Sequence, residues 1–145
     1  IKDDTLLGEI TLNDKKEHSV ILMTIIQDLL KFHKLDVNDI DGYVVSKGPG
    51  SFTGLRIGMA TIKGLSFGSN KPYVSISSLD ALAYSVSAFD GIICPIMDAR
   101  RNQVYTALYK WEAEELIKLT EYKACDMDEY LEELKQKMDK IIFLG

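Results

Sequence analysis

The chain has 145 residues, 46% of them hydrophobic and 27% charged, with a formal net charge of −5. This is an ordinary globular balance, enough for one core or two small ones. No apolar run approaches the ~20 residues of a membrane span. No basic block marks a nucleic-acid binder, because phosphate contacts supply that affinity; Lys47, Arg56, Lys63 and Lys71 offer at most a local patch.

In chain order, residues 5–12 read as a strand and Asn13-Asp14 as the start of a turn. Residues 18–33 predict a helix with a narrow polar strip of Thr24, Gln27, Asp28, Lys31 and Lys34. Its apolar arc spans roughly 200°, wider than the ~100° that burial on one core requires. Ile21, Ile25 and Phe32 form one flank, Met23, Ile26 and Leu30 the other, with Leu22 and Leu29 between. One flank is therefore surplus: either the helix is sandwiched within its own domain or it meets a partner.

Tyr43, Val44 and Val45 predict a buried strand, which Gly48-Pro49-Gly50 breaks. Ser51 offers an N-cap oxygen, and a helix follows to about Gly68. A phosphate-binding reading of this unit is weak. Lys47 precedes Gly48 instead of reaching into the helix start, and Gly68-Ser69-Asn70 stands where a ribose-binding acid belongs. Gly54, Gly58, Thr61, Gly64 and Gly68 cluster on one side of the helix, with Leu55, Met59 and Ile62 on another. Each interior glycine costs roughly 0.8–1.0 kcal/mol relative to alanine, so something is expected to approach this backbone closely. A neighbouring element of the same fold and a partner chain both remain open.

Tyr73 to Ile76 predicts a strand, and Ser77 or Ser78 caps a helix to about Ser87 with Leu79, Leu82 and Ala83 inward. Asp90-Gly91 is a turn and residues 92–97 a buried strand. In the polar turn 98–102, Asp98 is either a metal or base carboxylate or a structural partner of Arg100 or Arg101. Residues 103–110 return as the hairpin partner, and residues 116–122 add a third strand. Asp126 and Glu129 form an acidic capping box that opens a helix to about Lys140. Met127, Tyr130, Leu131, Leu134 and Met138 line its apolar face, and Glu132, Glu133, Lys135 and Lys137 its solvated face. Residues 141–145 read as a strand entering a glycine turn. Up to residue 97 the alternation of strands and helices predicts a mostly parallel sheet flanked by helices, with strands buried on both faces; a domain break is expected near 87–91. Cys94 and Cys125 match no zinc spacing and imply free thiols in a reducing, cytoplasmic setting.

Three motifs carry a resemblance. Ser-Lys-Gly-Pro-Gly-Ser-Phe-Thr-Gly-Leu-Arg-Ile-Gly over 46–58, Ser77-Ser78-Leu79-Asp80-Ala81-Leu82, and Asp98-Ala99-Arg100-Arg101 followed by Val104-Tyr105 closely resemble the bacterial TsaB (YeaZ) family. The resemblance runs through the whole chain. It implies an α/β fold of the actin-like ATPase (sugar kinase/Hsp70) type. It also implies an accessory subunit rather than an enzyme, a non-catalytic partner of TsaD in making threonylcarbamoyladenosine on tRNA. On this reading the chain has no catalytic, cofactor-binding or metal-binding residue. Its partners are a TsaD-like catalytic subunit and a TsaE-like ATPase, and it meets tRNA only indirectly. Family members open with a strand, an acidic turn and a second strand before this point, and continue beyond residue 145. Residues 1–88 are therefore expected to be a first subdomain lacking its opening hairpin, and 89–145 the start of a truncated second one.

TsaD carries His-x-x-x-His on the equivalent helix. Here Leu22 stands four residues after His18, and His33 lies about four turns away, so no metal pair forms. The expected partner surface combines Ile21, Ile25 and Phe32 with Gly54, Gly58 and Thr61 in a four-helix packing, the same helices serving a homodimer when the partner is absent. The competing readings are an ATP-dependent phosphotransferase or a metallopeptidase of the same fold. Neither His-Glu-x-x-His nor a Ser/His/Asp set supports the latter.

Overall fold

Strand β1 (Tyr43–Ser46) ends where Gly48 takes a positive φ of 96°, a conformation that costs glycine nothing. The Ser51 side chain then accepts from the Gly54 amide at 3.3 Å and opens helix α2 (Phe52–Ser69). Asn70 in the left-handed region closes it, with its amide bonded to the carbonyls of Phe67 and Ser66. The strand–glycine turn–helix unit is thus as the sequence predicts. The computed structural model describes residues 1–12, 18–87, 89–137 and 140–145. They form two compact units, Ile1–Ser46 with Ser51–Ser75, and Lys47–Gly50 with Ile76–Gly145.

In the first unit, helix α1 (His18–Phe32) precedes a short 3-10 turn at Val37–Asp39. Asp36 caps that turn, and the Asp39 side chain accepts from the Asp36 amide at 2.7 Å, a reciprocal box that sequence reading passed over. Strand β2 (Tyr73–Ile76) pairs with β1. The bonds Tyr43 N–H to Pro72 O and Lys47 N–H to Ile76 O keep one sequence offset, which makes the pair parallel. The Tyr43 hydroxyl is 3.0 Å from Ser69 Oγ, which itself donates to the Leu65 carbonyl, so the phenol is the donor tying α2 to β1. Two expectations fail here. Residues 6–12 form no strand, because a strand needs a ladder partner and none lies alongside among the described residues. Val44 and Val74 are exposed rather than buried on both faces, since α2 packs on β1 and no described element of the unit covers those side chains.

The second unit is built around β3 (Ile92–Arg100). Strands β4 (Gln103–Thr106) and β5 (Tyr109–Glu112) both run antiparallel to it, and β8 (Ile141–Leu144) pairs parallel. Ile96↔Thr106 and Ile93↔Tyr109 lie on one register, so β4 and β5 are two halves of the single returning strand the sequence predicts. That strand is interrupted at Ala107-Leu108, where the Leu108 amide bonds Thr120 Oγ1 at 2.9 Å instead of continuing a ladder. The predicted strand 116–122 is in fact β6 (Glu115–Lys118), paired with β5. A strand that sequence reading missed, β7 (Lys123–Asp126), pairs with β4. The parallel pairing expected of the strands up to residue 97 holds for β1 with β2, while β3 lies in a separate, mixed sheet built on the predicted hairpin. The β3–β4 and β5–β6 connections are too short for crossovers, which forces antiparallel pairing.

Helix α3 (Ser78–Tyr84) is capped by Ser77 and stops short of Ser87. Helix α4 (Met127–Lys137) is capped by Asp126, whose Oδ1 accepts from Asp128 and Glu129 amides at 2.9 and 3.2 Å. Adjacent residues of β3 point to opposite faces, so Ile93 packs with Leu79, Ala83, Ala107 and Tyr109, and Cys94 with Val104, Leu108, Tyr130 and Leu134. This sheet is buried on both faces. The Asn13-Asp14 turn, the His18 side chain and Met138 lie outside what is described.

Candidate partner interface

Helix α1 carries half-buried Ile21, Leu22, Ile25, Ile26, Leu29 and Leu30. Each flank contributes half-buried residues and one exposed residue, Phe32 on the first and Met23 on the second. Ile21 and Ile25 turn toward α2 and, with Ile10, Leu12, Leu22, Gly54 and Ile57, line a cavity of about 210 Å³. Three of the six residues expected at the partner surface, Ile21, Ile25 and Gly54, therefore meet. Phe32 lies at the far end of α1, 82% exposed, its ring edge-on to His33 at 5.1 Å. Gly58 faces the strand, where an added Cβ would sit 3.8 Å from Val45, and Thr61 is half-buried. Gly64 and Gly68 face open space, with nothing within 4 Å of an added Cβ. At Gly64 and Gly68, unlike Gly58, the close approach that the glycine face calls for is not made by the described residues of this chain.

Sequence periodicity overlooked two residues on the same helix. Phe52 and Phe67 are 68% and 90% exposed, and the Arg56 guanidinium lies 3.9 Å over the Phe52 ring. Their spacing from Arg56 and Lys63, by four, seven and four residues, was a legible signal of one shared face.

The three motifs that carry the resemblance converge in the second unit. Pro49, Leu79 and Tyr105, one from each, line a cavity of about 240 Å³ with Tyr122, Lys123 and Ala124. Asp80 anchors its wall: the Tyr109 and Tyr122 hydroxyls donate to its carboxylate at 2.7 and 2.8 Å. Burial and the Asp80 charge hold the Tyr109 phenol far above its ordinary range, and burial raises Tyr130 as well. Burial likewise pushes up the thiols of Cys94 and Cys125, both free. These groups stay protonated, which is the opposite of what an activated nucleophile requires. Asp98 takes the structural role, its Oδ1 accepting from the Arg100 amide at 2.7 Å. Among the described residues no cluster of His, Cys, Asp and Glu is arranged to hold a metal, and no helix is long and apolar enough to cross a membrane.

A pH dependence follows. Phenols and thiols whose folded pKa is raised stabilise the fold below their unfolded pKa, and that stability is lost as pH rises past it. Unfolding free energy is therefore expected to fall with pH above about 9 to 10, where unfolded thiols and phenols ionise. Tyr109→Phe should flatten the fall, as read by chemical denaturation across that range. A stability unchanged from pH 8 to 11 would contradict the burial assigned to these groups.

A strand–glycine turn–helix unit and a second, hairpin-built sheet covered by helices on both faces place the chain in the actin-like ATPase class of α/β folds. The family model described as TsaD, tRNA N6-adenosine threonylcarbamoyltransferase, matches residues 5–143. The tRNA threonylcarbamoyladenosine biosynthesis protein TsaB of Bacillus subtilis is 39% identical over 145 residues, all of this chain and 63% of that protein. TsaB of Escherichia coli is 32% identical over 108 residues, 69% of this chain and 47% of that protein. A Pseudomonas aeruginosa crystal structure, described as an uncharacterized protein similar to peptidase YEAZ, superposes with a TM-score of 0.68. It is 26% identical, covering 77% of this chain and 52% of that one. The chain belongs to this family, on its TsaB (YeaZ) branch, and spans less than two thirds of the length of these relatives.

Proposed function

We propose that the chain is a non-catalytic accessory subunit of tRNA threonylcarbamoyladenosine biosynthesis, one that docks and activates a TsaD-like catalytic subunit. The observation that carries this reading is the match along the whole chain to a relative named for that pathway. Support comes from a helix pair whose apolar cavity gathers Ile21, Ile25 and Gly54, and from the open face at Gly64 and Gly68. Small residues let a second backbone come close, and the apolar side chains add burial worth roughly 25 cal/mol per Å². Phe32, Gly58 and Thr61 belong to the same proposed surface at its margins. A TsaE-like ATPase as further partner, self-association through the same helices, a cytoplasmic site of action and a division into subdomains at 88/89 are parts of the proposal. The chain itself supplies no cofactor or metal site in this reading.

The test uses the full-length protein in which this chain occurs. A pull-down with the TsaD-like subunit should retain it, and modification of tRNA should be at least tenfold slower without it. Equal modification in its absence would overturn the reading, as would ATP or peptide hydrolysis by the purified protein alone. The peptidase wording attached to one structural relative is the second reading that this experiment weighs. Thiols held above their ordinary pKa disfavour a cysteine-peptidase form of it.

A further inference from the structure

We infer that the β3–β4 hairpin of the second unit is a contact for a single-stranded stretch of RNA, with phosphates on Arg100 and Arg101 and a base on Tyr105. This rests on the accessory-subunit reading and adds a direct contact where that reading left the RNA to the catalytic subunit. Arg100, Arg101 and Asn102 hold positive φ of 66°, 54° and 60° in succession. Asparagine tolerates this conformation, whereas arginine is costly there and glycine would avoid the cost. The turn is held from both ends. Asp98 Oδ1 accepts from the Arg100 amide at 2.7 Å, the Asn102 side chain donates to Asp128 at 2.9 Å, and the Met127 amide donates to the Asn102 carbonyl at 2.9 Å. None of these bonds uses a guanidinium. Both arginines are exposed, and no carboxylate pairs with either side chain among the described residues. The fold therefore accounts for the turn but not for the arginines, and a costly conformation kept for two unpaired cations points to a ligand outside the chain.

Charge and shape then select the ligand. Two neighbouring guanidiniums repel one another. A single carboxylate neutralises one of them, whereas an RNA strand brings successive phosphates within reach of both. The acids of the turn are engaged within it and at the α4 cap, Asp98 by the Arg100 amide and Asp126 and Asp128 by Asn102 and the first α4 amides. Further along the same hairpin, about 13 Å of strand from Arg101, Tyr105 is exposed and lines the cavity it shares with Pro49, Tyr122 and Ala124. A cavity of about 240 Å³ with an aromatic wall takes one unstacked base. Bases stacked on aromatic side chains beside a cationic track are how single strands are held without sequence readout. A double helix keeps its bases stacked and offers this cavity nothing.

Binding of unmodified tRNA to the complex of the full-length protein with the TsaD-like subunit is measured by fluorescence anisotropy between about 50 and 200 mM salt. Arg100→Gln with Arg101→Gln should flatten the slope of log Kd against log salt by about 0.7 per arginine, about 1.4 in all. Tyr105→Ala should weaken Kd about five-fold or more with the slope unchanged, and Tyr105→Phe should keep native affinity. Arg100→Gly with Arg101→Gly should lose the same slope while the melting temperature holds or rises, because glycine is at ease at positive φ. A fall in melting temperature makes the arginines structural and overturns the inference. Native slope and affinity in every variant overturn the contact and leave the accessory role standing. Loss of the protein complex itself assigns the hairpin to a protein partner and overturns the RNA occupant. A fluorescent ATP analogue that the wild type binds and the arginine variants do not, with the tRNA slope unchanged, assigns the site to a free nucleotide and overturns it as well. If the wild-type proteins form no complex, the accessory reading falls and the inference with it.

Discussion

Ile93→Ala should lower the unfolding free energy by about 2–5 kcal/mol, a large share of the 5–15 kcal/mol typical of a domain. Ile93 is 0% exposed near the start of β3, opposite Tyr109 on one side and Ile142 on the other. Its side chain packs with Leu79, Ala83, Ala107 and Tyr109, contributed by α3 and by the returning strand. Removing it withdraws apolar surface and leaves a cavity between a helix and two neighbouring strands, which a sheet paired on both edges relaxes poorly to fill. Urea denaturation of the full-length protein reads the change. A loss below 1 kcal/mol would mean that the second unit's core is not centred on β3.

Asp80→Ala should cost about 2–4 kcal/mol, since hydrogen bonds to a charged group are each worth roughly 1.5–3 kcal/mol and the exposed one contributes least. Tyr109 is 2% exposed and donates to Asp80 at 2.7 Å, so the substitution strands a buried hydroxyl. Tyr122 loses the same acceptor at the protein surface. The two bonds fasten α3 to β5 and to the segment before β7, which assembles the wall where the three family motifs meet. A double-mutant cycle with Tyr109→Phe separates the pair from the rest. Coupling near zero would show that the phenol is satisfied without Asp80. Asp80→Asn, which keeps an acceptor oxygen, should lose less than Asp80→Ala.

Local chemistry made the central unit legible. Glycine at a positive φ, a proline beside it and a serine oxygen at the helix start act within a few residues, so no distant contact is needed to read them. The same holds for the Ser77 and Asp126 caps and for the hairpin register of β3 with β4. The Asp36–Asp39 box was equally local and was missed for lack of an apolar run behind it.

Other features depend on what lies alongside. Residues 5–12 have the composition of a strand, but pairing requires a second backbone, and composition does not supply one. The break at Ala107-Leu108 arises because Leu108 bonds Thr120, a residue twelve positions on. Two flanks of α1 border the polar strip equally, so periodicity had no means to rank them. The position of α2 places Ile21 and Ile25 along the cavity between the two helices and leaves Phe32 and Met23 toward water. Helical period places residues on a common face, and only the neighbouring element decides whether that face is core or surface. The sequence by itself therefore determined the family, the class of fold and the strand–turn–helix unit. Tertiary structure alone decided the pairing of β7 with β4 and of β8 with β3, the exposure of Phe52 and Phe67, and the meeting of Pro49, Leu79 and Tyr105, because each depends on contacts between residues distant in the chain.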